Sequence, residues 1–117
     1  MLDAAVREVS ANRFVFEAGR CSHVLRLDEI FYIESFRHSL ILHTADNAYE
    51  FRSSLAEAEK RLPAGCFAKP NQGCLVNMRQ INKLGPEFVF LTNGECISIS
   101  RRRQKEFISR FHQFLRR

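Results

Sequence analysis

The chain has 117 residues, room for one core of ordinary size and not for two. Apolar residues make up 45% and charged residues 26%, with eleven Phe and no Trp, which is the composition of a globular domain whose large core-filling side chain is Phe. No apolar run comes near the roughly 20 residues that cross a bilayer, Met1 to Ala5 lacks the basic-then-apolar order of a secretion signal, and a net charge of +5 favours polyanionic partners; the expectation is a soluble, cytoplasmic protein.

Residues 1–12 carry the weakest pattern and are read as a leader to a single domain over 1–117. Five runs follow, Arg13 to Glu17, His23 to Leu27, Phe31 to Glu34, Ser39 to Thr44 and Ala48 to Arg52. Each is β-branched, aromatic or alternating, and each predicts a strand. Ala45-Asp46-Asn47 joins the last two, and its Asp and Asn tolerate the backbone angles of a hairpin turn.

Ser54-Leu55-Ala56-Glu57 has the form of a capping box, in which the Ser hydroxyl and the Glu carboxylate satisfy free amides at a helix start. A helix over about 54–62 follows, with Leu55, Ala58 and Leu62 on one face and Pro63 ending it. A second hairpin is predicted from Phe88 to Leu91 and Cys96 to Ile99 across Thr92-Asn93-Gly94, set off by Gly85-Pro86. Over about 101–115 the spacing of Phe107, Ile108, Phe111, Phe114 and Leu115 predicts a helix whose apolar stripe docks on the sheets. Arg110, His112, Gln113, Arg116 and Arg117 fall on its other faces. There is no internal repeat and no linker-like tract, so the fold class read from the pattern is mainly β with two short helices.

Cys21, Cys66, Cys74 and Cys96 stand far apart with no CxxC pair, and are expected to be reduced, mostly buried thiols. His23, His43 and His112 share no metal-ligand spacing with them, so neither a metal nor a cofactor is implied. No GxSxG, Walker loop or HExxH element is present, and nothing in the sequence points to an enzyme.

Charge is unevenly placed. From Arg101 to Arg117 there are seven basic residues against Glu106 alone, which leaves the rest of the chain close to neutral. Ser100 is the natural N-cap of the last helix and would put Arg101, Arg102 and Arg103 in its first turn, where a cation opposes the helix dipole by about 0.3–1 kcal/mol. That arrangement suits a bound anion, held by free amides and bidentate guanidinium bonds. A merely solvated basic turn is the other reading.

The elements Phe31-Tyr32-Ile33-Glu34-Ser35, Tyr49 to Leu55, Phe67 with Leu75-Val76-Asn77, Ile81, and Ser98-Ile99-Ser100-Arg101, in this order and spacing, resemble the LytTR family over about residues 13–115. The resemblance implies an elongated arrangement of three mainly antiparallel sheets, commonly joined to a receiver or sensor domain. It also implies double-stranded DNA as partner, read by loops in successive major grooves of imperfect direct repeats, with a homodimer on DNA as one mode of assembly. By position the contact loops are Ser35 to Ser39, Lys69 to Gly73 and Ser100 to Arg103, and the contact residues Arg37, His38, Lys69, Asn71, Gln72, Arg101, Arg102, Arg103 and Lys105. Asn77 is expected to be structural.

The middle loop departs from the pattern. Where the family commonly shows Arg-x-His-Arg-Ser, this chain has Lys69-Pro70-Asn71-Gln72-Gly73, which keeps amides suited to adenine edges and loses charge. The departure motivates a rival reading, a diverged module that acts through a protein partner. A second rival makes the basic, amphipathic last helix a membrane-surface element.

Overall fold

The computed structural model describes residues 12–116; the leader predicted over 1–12 lies outside the described residues except for Asn12. Strands β1 (Arg13–Ala18) and β2 (Cys21–Arg26) pair across Gly19 and Arg20, whose φ angles of 59° and 66° are those of a two-residue turn that follows the strand twist. A 3-10 turn at Leu27–Glu29 leads into β3 (Tyr32–Phe36), β4 (Ser39–His43) and β5 (Ala48–Arg52), and then into helix α1 (Leu55–Arg61). Next come β6 (Phe67–Asn71), β7 (Cys74–Asn77), a 3-10 turn at Met78–Gln80, and β8 (Ile81–Leu84), β9 (Phe88–Leu91) and β10 (Cys96–Ser98). A 3-10 turn at Arg101–Arg103 and helix α2 (Gln104–Leu115) end the described chain.

Three antiparallel sheets result: β1-β2, β10-β9-β8, and a central β5-β4-β3-β7-β6. The molecule measures 44 × 33 × 24 Å, so the expectation of a mainly β, elongated, antiparallel fold with two helices holds. Side-chain alternation gives the central sheet two working faces. Ile33, Leu40, Leu42, Phe51 and Leu75 point to one side, where the β1-β2 hairpin supplies Phe14, Phe16 and Leu25 and α1 supplies Leu55 and Ala58. Tyr32, Ala68, Cys74 and Val76 point to the other, against Val89, Leu91, Ile99 and Phe107. All four residues of β7 are buried, because both neighbouring layers close over them.

Three strands went unanticipated. β7 reads Cys-Leu-Val-Asn, apolar on both faces and without the alternation that marks a half-buried strand. β6 contains Lys69 and Pro70, yet it is an edge strand bulged between Ala68 and Asn71, a place where a missing N–H removes no ladder bond. β8 is also an edge and has only Ile81 and Leu84 as apolar residues.

Both helices differ in detail from expectation. The Ser54 hydroxyl caps α1 by accepting from the Glu57 amide at 3.2 Å, which is the serine half of the predicted capping box. Arg61, at the end of α1, donates to the Val15 carbonyl and lies over the Phe14 ring at 4.5 Å, which clamps the hairpin to the sheet. Ser100, by contrast, makes no side-chain cap. Arg101–Arg103 form a separate 3-10 turn closed by the Arg103 amide on the Ser100 carbonyl at 2.9 Å, and the α-helix begins only at Gln104. Of the stripe, Phe107 is buried and Phe111 and Phe114 pack at the core edge, while Leu115 is exposed. The stripe therefore faces the core, which leaves a membrane-surface role without its apolar face. Arg110, expected on a polar face, instead donates to the Phe67 carbonyl at 2.8 Å and fastens α2 to β6.

The cysteine expectation needs correction as well. All four thiols are free, but only Cys74 is buried; Cys66 is intermediate, and Cys21 and Cys96 are exposed at the first positions of β2 and β10. Burial, and the Glu34 carboxylate paired opposite it, push the Cys74 thiol up to about 12. Burial does the same to the Tyr32 hydroxyl, with Glu95 and Glu34 adding to it, also to about 12. Glu34 itself meets His43, whose Nε2 lies 2.5 Å from Oε2 and whose ring stacks on Tyr32 at 4.2 Å.

Asn77 is the buried polar residue among the described residues and is 1% exposed. Its Nδ2 donates to the carbonyls of Leu27 and Ile30 at 3.1 and 2.8 Å, and its Oδ1 accepts from the Arg79 amide at 3.1 Å. One side chain thus closes the end of β7 onto the segment that enters β3, in agreement with the structural role read from sequence. Asn77→Ala removes three hydrogen bonds at the junction and leaves the buried Ile30 carbonyl and the part-buried Arg79 amide without that partner. Urea unfolding should therefore show a loss of about 2–3 kcal/mol; a loss under 1 kcal/mol would assign the junction to other contacts. A thiol reagent at pH 8 should modify Cys21 and Cys96 quickly and Cys74 only upon unfolding. Because Tyr32 and Cys74 keep protons in the folded state that the unfolded chain releases, their contribution is complete below about pH 9 and is lost as the pH rises toward 12. The urea midpoint should accordingly fall across that range.

Candidate nucleic-acid interface

The C-terminal end of β3 and the N-terminal ends of β4 and β7 lie at the same edge of the central sheet, so their connecting turns emerge together. Between β3 and β4 the turn is only Arg37-His38, both exposed. Arg37 has a φ of 59°, unusual for a residue with a Cβ, and its guanidinium sits 5.2 Å from the centre of the Phe36 ring. Between β6 and β7 the turn is only Gln72-Gly73. The loop expected over Lys69 to Gly73 is therefore mostly strand, because Lys69 to Asn71 complete β6.

These turns are tied to one another and to the segment leaving β10. The Ser35 amide donates to the Gly73 carbonyl at 2.9 Å, Asn71 Nδ2 to the Ser98 carbonyl at 2.9 Å, and the Ser100 amide to the Pro70 carbonyl at 2.9 Å. Asn71 Oδ1 also accepts from the Gly73 amide at 3.0 Å. A continuous ridge results, running from Arg37 through Gln72 to Arg101. Its backbone is fixed by internal bonds, so a ligand would not have to order it.

The residues singled out from sequence divide into two groups. Arg37, His38 and Gln72 line a cleft of about 360 Å³, together with Ser39, Ser53 and Ser54. Arg101 and Arg102 are exposed at the end of the ridge with no intrachain partner among the described residues, and Lys105 is exposed in the first turn of α2. Lys69 and Arg103 stand apart, partly buried, in a small recess of about 30 Å³ that they share with Glu59, Glu106 and Arg110. Asn71 keeps one N–H and one lone pair free after its two internal bonds, so it is first a brace for the ridge.

Sequence reasoning placed Ser39 in the first contact loop but missed Ser53 and Ser54, which complete the hydroxyl wall of the cleft. Ser54 was legible only as a helix cap and Ser53 carries no local signal, while Ser39 comes into play through its turn. Cross-strand register also places Arg52 opposite Ser39, beside the same edge. Phe36, half exposed next to Arg37, lay beyond the predicted end of its strand. No group of three His, Cys, Asp or Glu that could hold a metal ion occurs among the described residues, and none of their helices is long and apolar enough to cross a membrane.

An edge of exposed guanidinium, imidazole, amide and hydroxyl groups on a braced backbone can donate hydrogen bonds to phosphate oxygens and to base edges alike. Comparison with known proteins bears on which ligand it meets. Residues 20–112 match the family model of the LytTr DNA-binding domain. The sensory transduction protein LytT of Enterococcus faecalis is 28% identical over 85 residues, which is 68% of this chain and 35% of that protein, so the chain spans about a third of that relative's length. A solved LytTr DNA-binding domain from Bacillus cereus shares the fold with a TM-score of 0.71 at 19% identity, over 89% of this chain and 96% of the other.

If the exposed arginines serve a ligand and the amide serves the ridge, their substitutions separate on stability alone. Arg101→Ala and Arg102→Ala should each stay within about 0.5 kcal/mol of the parent in urea unfolding, and Asn71→Ala should lose about 1 kcal/mol. A loss above 1 kcal/mol in either arginine variant would place that guanidinium in the fold instead.

Proposed function

The chain belongs to the LytTr DNA-binding domain family, and from that premise we propose that it recognises a specific double-stranded operator through its ridge of turns, as the output domain of a transcription regulator. Membership makes the domain a DNA-binding one. The finer reading, that the three connected segments enter successive major grooves of an imperfect direct repeat, is supported by the bonds that hold the three segments in one ridge. That lacing is the observation on which the proposal rests.

Roles follow from chemistry and position. Arg37 and His38, at the tip of the β3-β4 turn, suit guanine O6 and N7 or a phosphate. Gln72 suits an adenine edge, through the paired donor and acceptor of its amide. Arg101 and Arg102 are the principal contacts of the third segment, and Lys105 is a phosphate contact one helical turn further on. Lys69 and Arg103, beside Glu59 and Glu106, contribute positive potential behind the ridge more than direct contacts. Asn71 contributes chiefly by fixing Gln72 and Gly73. A homodimer on adjacent repeats, and a receiver or sensor domain as the source of the input signal, complete the reading. The curated relative, described as a sensory transduction protein and about twice as long, is consistent with such a partner domain.

Phosphate contacts supply affinity and register, and base contacts supply choice, so the two must be measured separately. Selection from a randomised duplex pool should enrich a spaced direct repeat. On that duplex the logarithm of affinity should fall with the logarithm of salt at a slope of about −4 to −5, equivalent to roughly four to six phosphates. Arg101→Ala and Arg102→Ala should each weaken binding at least tenfold. Equal affinity for selected and shuffled duplexes, lost at moderate salt, would discard operator recognition and leave a protein partner as the ligand of the ridge.

A further inference from the structure

We propose that Phe36 is a base-reading residue: its ring receives the 5-methyl group of a thymine that adjoins a guanine held by Arg37. This inference rests on the operator reading above and names a contact which that reading does not contain.

Five large apolar side chains are exposed among the described residues. Val15 and Val24 face each other as a cross-strand pair on the outside of the β1-β2 hairpin, Leu115 is at the end of α2, and Phe88 is on β9. Phe36, 48% exposed, is the one at the tip of the ridge. A single exposed apolar residue needs no special explanation, but this one is coupled to a second anomaly. Its neighbour Arg37 has a φ of 59°, a conformation unfavourable for an L-residue, in a turn position where Gly or Asn would be relaxed. Arg37 meanwhile has its guanidinium 5.2 Å from the Phe36 ring. Backbone strain of this kind persists where the surrounding structure imposes it, and such places are enriched in binding sites.

The register then places the ring. Glu34 pairs with Cys74, and the Ser35 amide reaches the Gly73 carbonyl, so continuing the pairing brings Phe36 level with Gln72. Phe36 thus stands at the level of Gln72 in the register and has the Arg37 guanidinium, a group that reads bases, over its ring. In the major groove the one apolar feature offered by a base edge is the 5-methyl of thymine, and Phe is among the side chains suited to it. A guanidinium flanking the ring would bond the O6 and N7 of an adjacent guanine while the ring covers the methyl. Docking of an apolar protein partner fits less well, because a lone ring bordered by Arg37, Gln72 and Ser39 is far smaller than the apolar patches that such partners use.

Thymine can be replaced by deoxyuridine, which removes the methyl and nothing else. On the selected duplex, bound by the 117-residue chain, deoxyuridine at one or two thymines next to guanine should weaken binding about fourfold, the value of one buried methyl group. Phe36→Ala should weaken binding to the thymine duplex by at least as much and lose the sensitivity to deoxyuridine at those positions. Phe36→Leu should retain part of both, and because the side chain is half exposed all three proteins should unfold at similar urea concentrations. Sequence-specific binding that shows no methyl sensitivity anywhere, or that keeps it fully in Phe36→Ala, overturns this inference and leaves the operator reading standing. Absence of sequence preference in the parent overturns both.

Discussion

Strands β3 and β7 are covered on both faces, and the rest of the molecule is arranged around that double burial. Ile33 and Leu75, paired across the two strands, point into one core, while Tyr32 and Val76, the adjacent pair, point into the other. Fully burying an aliphatic side chain is worth about 1.5–3 kcal/mol, so this pair of strands anchors both layers at once. The β1-β2 hairpin, α1, the three-stranded sheet and α2 each need only one apolar face, because the central sheet supplies the complementary one. Asn77 is admitted at the end of β7 because all of its bonding is turned onto the chain entering β3. The joint between the layers is therefore polar, directional and buried, which fixes the approach of the two strands where apolar packing alone would leave it free to slide.

The contact edge inherits its rigidity from this core. Each turn on the ridge is short because the strands below it are held in register, and a two-residue turn leaves its side chains few positions to occupy. Bonds from Ser35 to Gly73, Asn71 to Ser98 and Ser100 to Pro70 then couple the turns sideways. A surface preorganised in this way avoids much of the entropy loss that accompanies binding by loose loops. The same bracing accommodates the departure from the family pattern in the middle segment. Asn71 and Gln72 divide the work there: one amide braces the turn and the other is presented to solvent.

How far this could be read from the sequence depended on how many faces each strand buries. The half-buried strands β1, β4 and β5 alternate and were legible, as was the hairpin around Asn93-Gly94. β7 was not, because burial on both faces removes the alternation. β6 was not, because Lys69 and Pro70 are tolerated only by virtue of its edge position and bulge, which are tertiary facts. The same distinction applies to the site. Basic residues at 37–38 and 101–102 were visible from charge and family pattern, and the structure finds them exposed. Division of the remaining cations into exposed and recessed, the bracing role of Asn71, and the serine wall of the cleft all depend on strand register and so on contacts distant in sequence. The helix start was misplaced for a local reason: Ser100 is a suitable cap by type, but its carbonyl, not its hydroxyl, closes the turn.

That misplacement changes the electrostatic argument about the three arginines. In the first turn of an α-helix they would all have opposed the dipole together. In the structure they occupy a 3-10 turn ahead of it, with Arg101 and Arg102 exposed and Arg103 directed into a recess with Glu59 and Glu106. Glu59 and Glu106 thus share a recess with Arg103, while Arg101 and Arg102 stand exposed without a partner among the described residues. Exposed guanidinium groups without an ion-pair partner among the described residues therefore stand at both ends of the ridge, and their attraction beyond contact distance would draw a polyanion toward the same edge that carries Arg37, His38 and Gln72. Placement of carboxylates is as much a part of the site as placement of arginines, because it aligns long-range attraction with the groups able to read a base.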